Sequence, residues 1–230
     1  MPELLHLPFC PLSRFARLAL GEYGVDVVLI EERPWARREA FLVLNPAATL
    51  PVYFDDRRRV VPGATILAEH LDETLGSSLG TQRLLPVATE PRIEVRRLLS
   101  WFLDKFYSEV AGPLVTERIF KTIMSQSQGG GPPEMPAIRA AKANIKYHLH
   151  YIGWLLRTRN WLAGDRLSYA DLAAAAQLSS VDYLGEVPWH ENEAAKQWYA
   201  RMKSRPAFRP ILADTMAGMP PAPSYADLDF

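Results

Sequence analysis

The feature that most constrains this chain is a change of period across residues 76–86. Before it, short apolar runs alternate with single amphipathic stretches. LLHL at residues 4 to 7 is strand-sized, and CPLSRFARLALGEYG sets Phe15, Leu18 and Ala19 at helical spacing, with Gly24 as the expected C-cap. VDVVLIEE reads as a second strand, and residues 33 to 45 as a charged, partly helical connection. NPAATLPVYFDD then opens a β-rich stretch at Pro51, where a missing N–H is tolerable at the start of a strand. The sharp turn there makes Leu50-Pro51 a candidate cis bond. PGATILAEHLDE reads as a helix. Strand–helix–strand followed by strand–strand–helix predicts a small α/β layer with a mixed sheet over residues 1–75.

GSSLGTQRLLP is turn-rich, and residues 76–89 are read as a linker. Beyond it the apolar residues recur at helical spacing. Leu98, Phe102 and Phe106 lie in a stripe beside Arg97 and Lys105, and residues 113 to 124 continue in the same style. QSQGGGPPEMP breaks the pattern and is expected to be a loop. Ile138, Ala141, Ile145, Leu149, Ile152 and Leu156 mark one face of the next helix. LSYADLAAAAQLSSVDYLG is the most apolar segment and the expected central helix, and ENEAAKQWYARMKS is a further amphipathic one. An all-helical domain over residues 90–219 follows, with an arm at 220–230. The fold class is therefore α/β plus all-α.

Composition narrows the function classes. With 26 basic and 26 acidic side chains, the chain has no net charge to draw it to nucleic acid. A chain of this length buries roughly 70% of its unfolded surface, so a core needs no metal or disulfide. The single cysteine, Cys10, has no intrachain partner, which fits a reducing compartment. No basic stretch precedes an apolar one at the start, and no apolar run reaches the roughly 18 residues of a membrane span. A cytoplasmic protein with no membrane and no nucleic-acid partner is expected. The five histidines show no metal-ligand spacing, so no metal is expected. Arg57, Arg58 and Arg59 beside Asp55 and Asp56 read as a charged hairpin turn.

Chemistry concentrates at two places. Cys10 precedes Pro11 and Ser13 at the mouth of the first helix, where free N–H groups and the helix dipole would favour a thiolate or an oxyanion; the commoner alternative for such a residue is a buried, inert cysteine. Ser13 is either a first-turn cap or an activating donor. No CxxC is present, so a dithiol cycle at Cys10 is excluded. Ser168 and Asp171 have capping-box spacing and are read as structural, with Asp165 in the same local network.

Taken together, CPLSRFARLAL, FLVLNPAATLPV, AEHLDE and WLAGDRLSYADL resemble the glutathione transferase superfamily over nearly the whole chain. The resemblance implies a thioredoxin-like first domain with Pro51 as its cis-proline, followed by the all-helical domain with Ser168 and Asp171 as its folding cap. It implies that Cys10 and Ser13 face the glutathione sulfur and that the backbone at Leu50 and Pro51 pairs with the tripeptide. The family's acid–serine pair before the third helix falls on Gly63 and Ala64 here, so both ligand-binding side chains are missing and the site reads as vestigial. Ala48 replaces a frequent glycine before the cis-proline, a replacement that is tolerable if the backbone there has negative φ.

EERPWARREAF, VDYLGEVPW and the tail PPAPSYADLDF resemble more narrowly the transferase-like cell-division proteins of alphaproteobacteria that bind the tubulin-like polymer FtsZ. That likeness implies a non-catalytic regulator at the division site. It acts as a homodimer that bundles or curves FtsZ filaments, with Trp35, Leu42, Glu117, Asp227 and Leu228 as the partner-binding residues and no cofactor. Trp35 lies between Glu31-Glu32-Arg33 and Arg37-Arg38, which suits a partly exposed aromatic anchor. Tyr225, Leu228 and Phe230 are expected to pin the arm to its own domain while Asp227 and Asp229 face outward. The alternative is a glutathione-dependent transferase or peroxidase in which Cys10 or Ser13 is catalytic and glutathione is the cofactor.

Overall fold

The computed structural model describes residues 1–227; the expectations for Leu228, Asp229 and Phe230 lie outside the described residues. The first domain is built from β1 (Glu3–His6), α1 (Pro11–Glu22), β2 (Val28–Glu31), α2 (Glu39–Leu44), β3 (Val52–Phe54), β4 (Val60–Pro62) and α3 (Ala64–Leu75). Its sheet has the order β2-β1-β3-β4. β1 pairs parallel with β2, Leu4 opposite Leu29, while β1 with β3 and β3 with β4 are antiparallel. The mixed sheet expected from the sequence is therefore present, and Leu50-Pro51 is cis.

Side chains alternate across this sheet with the strand period. Leu4, Tyr53 and Val61 face α1 and α3 and join a core that runs on into the helical domain. Leu5, Val52 and Phe54 point the other way, onto Cys10, Phe41 and Leu50. Helix α1 starts with Pro11, whose absent N–H costs nothing at a first position. Its end differs by one residue from expectation. Tyr23 is the cap, and Gly24 follows at φ 65° so that the Val25 N–H reaches the Leu20 carbonyl at 3.0 Å. Ala48 also departs from expectation. Its φ is +53°, a left-handed conformation costing a non-glycine residue about 1–2 kcal/mol.

In the second domain α4 (Thr89–Ser100), α5 (Gly112–Val115) and α6 (Lys121–Ile123) form one continuous rod. Two stretches of it, Trp101–Ala111 and Thr116–Phe120, widen to π-type turns. The sequence explains the first widening. Pro113 has no N–H to give the Glu109 carbonyl, which instead accepts from the Asn144 side chain at 3.2 Å. Gly112 closes the turn because a Cβ there would stand 2.8 Å from the Tyr107 carbonyl oxygen.

Next come α7 (Met135–Leu156), α8 (Tyr169–Tyr183), α9 (Glu193–Lys203) and α10 (Arg209–Leu212). The loop read from QSQGGGPPEMP contains one tight turn, Gln126–Gln128, and α7 begins inside its last residues. On α7 the buried residue is Leu155, not the expected Leu156, which is half-buried. Every residue of α8 is buried, and this central helix packs against α1. Among the described residues no helix is long and apolar enough to cross a membrane.

The two domains are bolted by charged pairs. Arg17 grips Asp214 through both carboxylate oxygens, at 2.7 and 3.0 Å, and Arg205 grips Glu22 at 2.6 Å. Beside Arg17 lies His6, only 4% exposed. Burial first, and then the Arg17 charge, lower its pKa from 6.5 to about 4. Because the unfolded chain binds this proton more readily, stability is retained above about pH 6.5 and lost as pH falls toward 4. The full span corresponds to about 3 kcal/mol. Urea unfolding of the wild type is expected to show that loss, and His6→Asn to flatten it; parallel pH profiles would exclude His6 as the source.

Candidate functional site

The turn Leu7–Cys10 presents Cys10 as the N-cap of α1. It is closed by the Cys10 N–H to the Leu7 carbonyl at 3.0 Å and held from below by Ser13, whose Oγ accepts the Leu7 N–H at 3.3 Å. Ser13 is wholly buried, so the structure makes it a brace for the turn. Cys10 lines an interdomain cleft of about 410 Å3. Leu12, Leu50 and Ala48 form its first-domain wall, and Tyr107, Thr116 and Phe120 come from the helical rod. Burial pushes the Cys10 thiol up, with hydrogen bonds to Ser13 and Leu12 opposing less strongly. Of the two readings open for Cys10, the structure favours the buried thiol: desolvation outweighs the dipole at this depth. Burial likewise raises the Tyr107 hydroxyl to about 12.

Cys10 and Leu50 are brought together in the cleft, and Pro51 is buried at the start of β3. Gly63 and Ala64 sit at the N-terminus of α3, with Gly63 at φ 92° and ψ 150°. That backbone rarely accepts a side chain, so the position expected to carry an acid in a glutathione site has neither the group nor an easy place for it. At these two positions neither an acid nor a hydroxyl faces the charged end of glutathione.

Trp35 is half-buried, as expected, but it lies at the cleft and not on an outer face. Its ring meets Phe120 of the helical rod with centroids 5.2 Å apart. Leu42 is half-buried on α2. Glu117 differs from the exposed contact residue expected. It is 7% exposed, its carboxylate accepts the Glu134 N–H at 2.7 Å, and Lys121 pairs with it at 2.7 Å. Asp227 is exposed at the end of the described arm, close enough to Lys203 for their charges to interact. Tyr225 is fully buried and packs with Phe9, Val115, Ile119 and Tyr183. One turn of the rod therefore meets Trp35 through Phe120 and the arm through Ile119.

The Ser168 cap is present as read from the sequence. Asp171 accepts from the Ser168 N–H and Oγ, both at 3.0 Å, and its other oxygen accepts from the Leu162 N–H at 2.9 Å and Trp198 Nε1 at 3.0 Å. Asp165 is exposed and outside this network, because the turn at Gly164 directs it to solvent. Among the described residues no group of three or more His, Cys, Asp or Glu side chains could hold a metal. Sequence reading missed Arg14, wholly buried on α1, and the cleft residues Tyr107 and Phe120. The available signal was an arginine four residues after Cys10, flanked by Phe15 and Leu18 on a helix otherwise read as core.

A four-stranded mixed sheet with a capping cysteine at α1, facing an all-helical domain across a cleft, is the glutathione transferase arrangement. Family models described as Glutathione S-transferase, N-terminal domain, and Glutathione S-transferase, C-terminal domain, match residues 9–74 and 117–206. The chain belongs to the glutathione S-transferase family. It is 44% identical over 230 residues to FtsZ-localized protein A of Caulobacter vibrioides, covering 99% of this chain and 97% of that protein. The crystal structure of a glutathione S-transferase from Sinorhizobium meliloti superposes with a TM-score of 0.97 at 53% identity, covering all of both chains. The structure of FzlA from C. crescentus gives 0.90 at 44% identity, covering 100% of this chain and 99% of that one.

Proposed function

We propose that this protein is a non-catalytic cell-division regulator that associates with FtsZ at the division site in the cytoplasm. It binds FtsZ filaments as a homodimer and alters their bundling or curvature. The observation that carries this reading is the 44% identity to FtsZ-localized protein A along the whole chain. The cleft supports it. Burial raises the pKa of the Cys10 thiol, Ser13 is engaged in the turn, and Gly63 and Ala64 offer no polar side chain to glutathione. Function then resides in surfaces displayed by the transferase scaffold. Trp35, Leu42 and the arm residues Asp227 and Leu228 are the assigned contacts, with Glu117 acting from beneath by fixing the backbone at Glu134.

Bridging filaments requires two copies of the binding surface. An aromatic stripe on α7 and the rod, with Tyr147 and Trp154 exposed and Trp101 set 4.3 Å from Tyr151, is the face we assign to the dimer. Co-sedimentation with polymerised FtsZ and negative-stain imaging test the reading together. Asp227→Lys is expected to weaken co-sedimentation about tenfold, the size of one interfacial charge contact, while helicity and melting temperature stay at wild-type values. Unchanged co-sedimentation would remove Asp227 from the surface, and a monomer at working concentration would remove bridging as the mechanism. The second reading, a glutathione-dependent transferase or peroxidase using Cys10 or Ser13, is favoured by the cleft beside Cys10 and by the 53% identity to a protein solved as a glutathione S-transferase from Sinorhizobium meliloti.

A further inference from the structure

The turn that presents Cys10 and the C-terminal arm are far apart in sequence, yet one buried side chain holds both. Arg14 has no exposed surface. Its Nε donates to the Pro8 carbonyl at 2.7 Å, inside the Leu7–Cys10 turn, and its Nη1 donates to Ser179 Oγ on α8 at 3.0 Å. Nη2 reaches Asp214, just after α10, at 3.3 Å. The guanidinium lies over the Phe9 ring at 4.9 Å and over the Tyr225 ring at 5.9 Å. Phe9 is the residue before Cys10, and Tyr225 is the buried anchor of the arm.

A second, aromatic path runs parallel to the first. Phe9 packs on Tyr183 with centroids 4.4 Å apart, and Tyr183 meets Tyr225 edge-on at 5.2 Å. Tyr183 also receives the arm and the turn leading into it: its carbonyl accepts the Ala222 N–H at 3.0 Å, and its hydroxyl accepts the Met216 N–H, ahead of the arm, at 3.0 Å. Further along, Lys203 donates to the Ser224 carbonyl at 2.9 Å, and the Tyr225 hydroxyl donates to the Ile211 carbonyl at 3.0 Å.

We propose that Arg14 and Tyr183 couple docking of the C-terminal arm to the conformation of the Cys10 turn, so that the cleft and the arm regulate one another. The physical reason is shared partners. With the arm lifted, Tyr225 leaves one face of the guanidinium and one edge of Tyr183 uncovered. Water then competes for Arg14 donors that now hold Pro8, and the turn loses its clamp. Linkage makes the effect reciprocal: whatever displaces the turn weakens arm docking by the same factor. This deepens the proposed function, because the arm carries Asp227, but its test contains no FtsZ and so succeeds or fails independently of that reading.

Cys10 is the chain's single cysteine, so thiol labelling reports on this turn alone. Tyr225→Ala is expected to raise the rate of Cys10 modification by a soluble aromatic disulfide by about tenfold or more, within the usual range of coupling between sites. Ile145→Val, chosen because Ile145 is buried in the helical core away from the arm, serves as the destabilised control and should label near the wild-type rate. In the reverse direction, wild-type protein alkylated at Cys10 with iodoacetamide should lose its last residues to carboxypeptidase faster than unmodified protein. Labelling of Tyr225→Ala at the wild-type or control rate, or an arm digested equally fast with and without alkylation, overturns the coupling.

Discussion

Asp171→Ala is expected to move the urea midpoint well below that of the wild type, losing between about 3 and 5 kcal/mol of stability. The carboxylate is wholly buried and serves donors on three segments: the Ser168 N–H and Oγ at the start of α8, the Leu162 N–H in the preceding turn, and Trp198 on α9. Removing it leaves several buried donors without an acceptor, each costing about 1–3 kcal/mol in part. It also uncouples the end of the central helix from α9. The full loss is a large share of the roughly 5–15 kcal/mol that holds a typical domain together. Asp171→Asn keeps one oxygen, enough for Leu162 and Trp198, but turns an amide toward the donors of Ser168; it should lose about half as much. Far-UV circular dichroism and the urea midpoint read both variants. A midpoint for the alanine variant within error of wild type would show that the hub is dispensable.

That hub was legible in sequence because it is local. Ser168 and Asp171 are three residues apart, and a capping box needs no knowledge of the rest of the chain. The mixed sheet was legible for the same reason, since its strands carry apolar runs bounded by turn residues, and Pro51 marks the start of β3. The cleft was only half legible. Cys10 and Leu50 announce themselves at a helix mouth and a proline turn, whereas Tyr107 and Phe120 reach the same space from a rod whose π-type widening depends on Pro113, Gly112 and an Asn144 contact from another helix. The charge state of Cys10 stays open in sequence because the helix dipole can be seen there and the burial opposing it cannot. Glu117 was misplaced on the surface for a similar reason: its partner is a backbone N–H at Glu134, beyond a glycine-rich loop. Arg14 escaped notice because an arginine on an amphipathic helix ordinarily lies outside, and only the tertiary arrangement supplies Ser179, Asp214 and Tyr225 to hold it in.

Calorimetric titration with glutathione is expected to give no saturable binding up to millimolar concentration. The γ-glutamyl end of the tripeptide carries a carboxylate and an ammonium, and each needs a partner when it leaves water. At the N-terminus of α3 the first N–H groups can offer partial positive charge to the carboxylate. Ala64 offers no hydroxyl and Gly63 no acid, so the ammonium has no counter-charge from these positions. A group left without its partner costs about 1–3 kcal/mol, or roughly fivefold to 150-fold in affinity. Restoring an acid is not a clean test, because Gly63 holds a positive φ of 92° that a glutamate would adopt only under strain. Ala64→Ser is cleaner: it returns one hydroxyl within a helical backbone and is expected to strengthen any residual binding by about tenfold at most. Saturable micromolar binding to the wild type would reverse the reading. It would mean that other side chains satisfy the charged end, that the cleft beside Cys10 is a working thiol site, and that the transferase alternative accounts for the fold better than filament binding does.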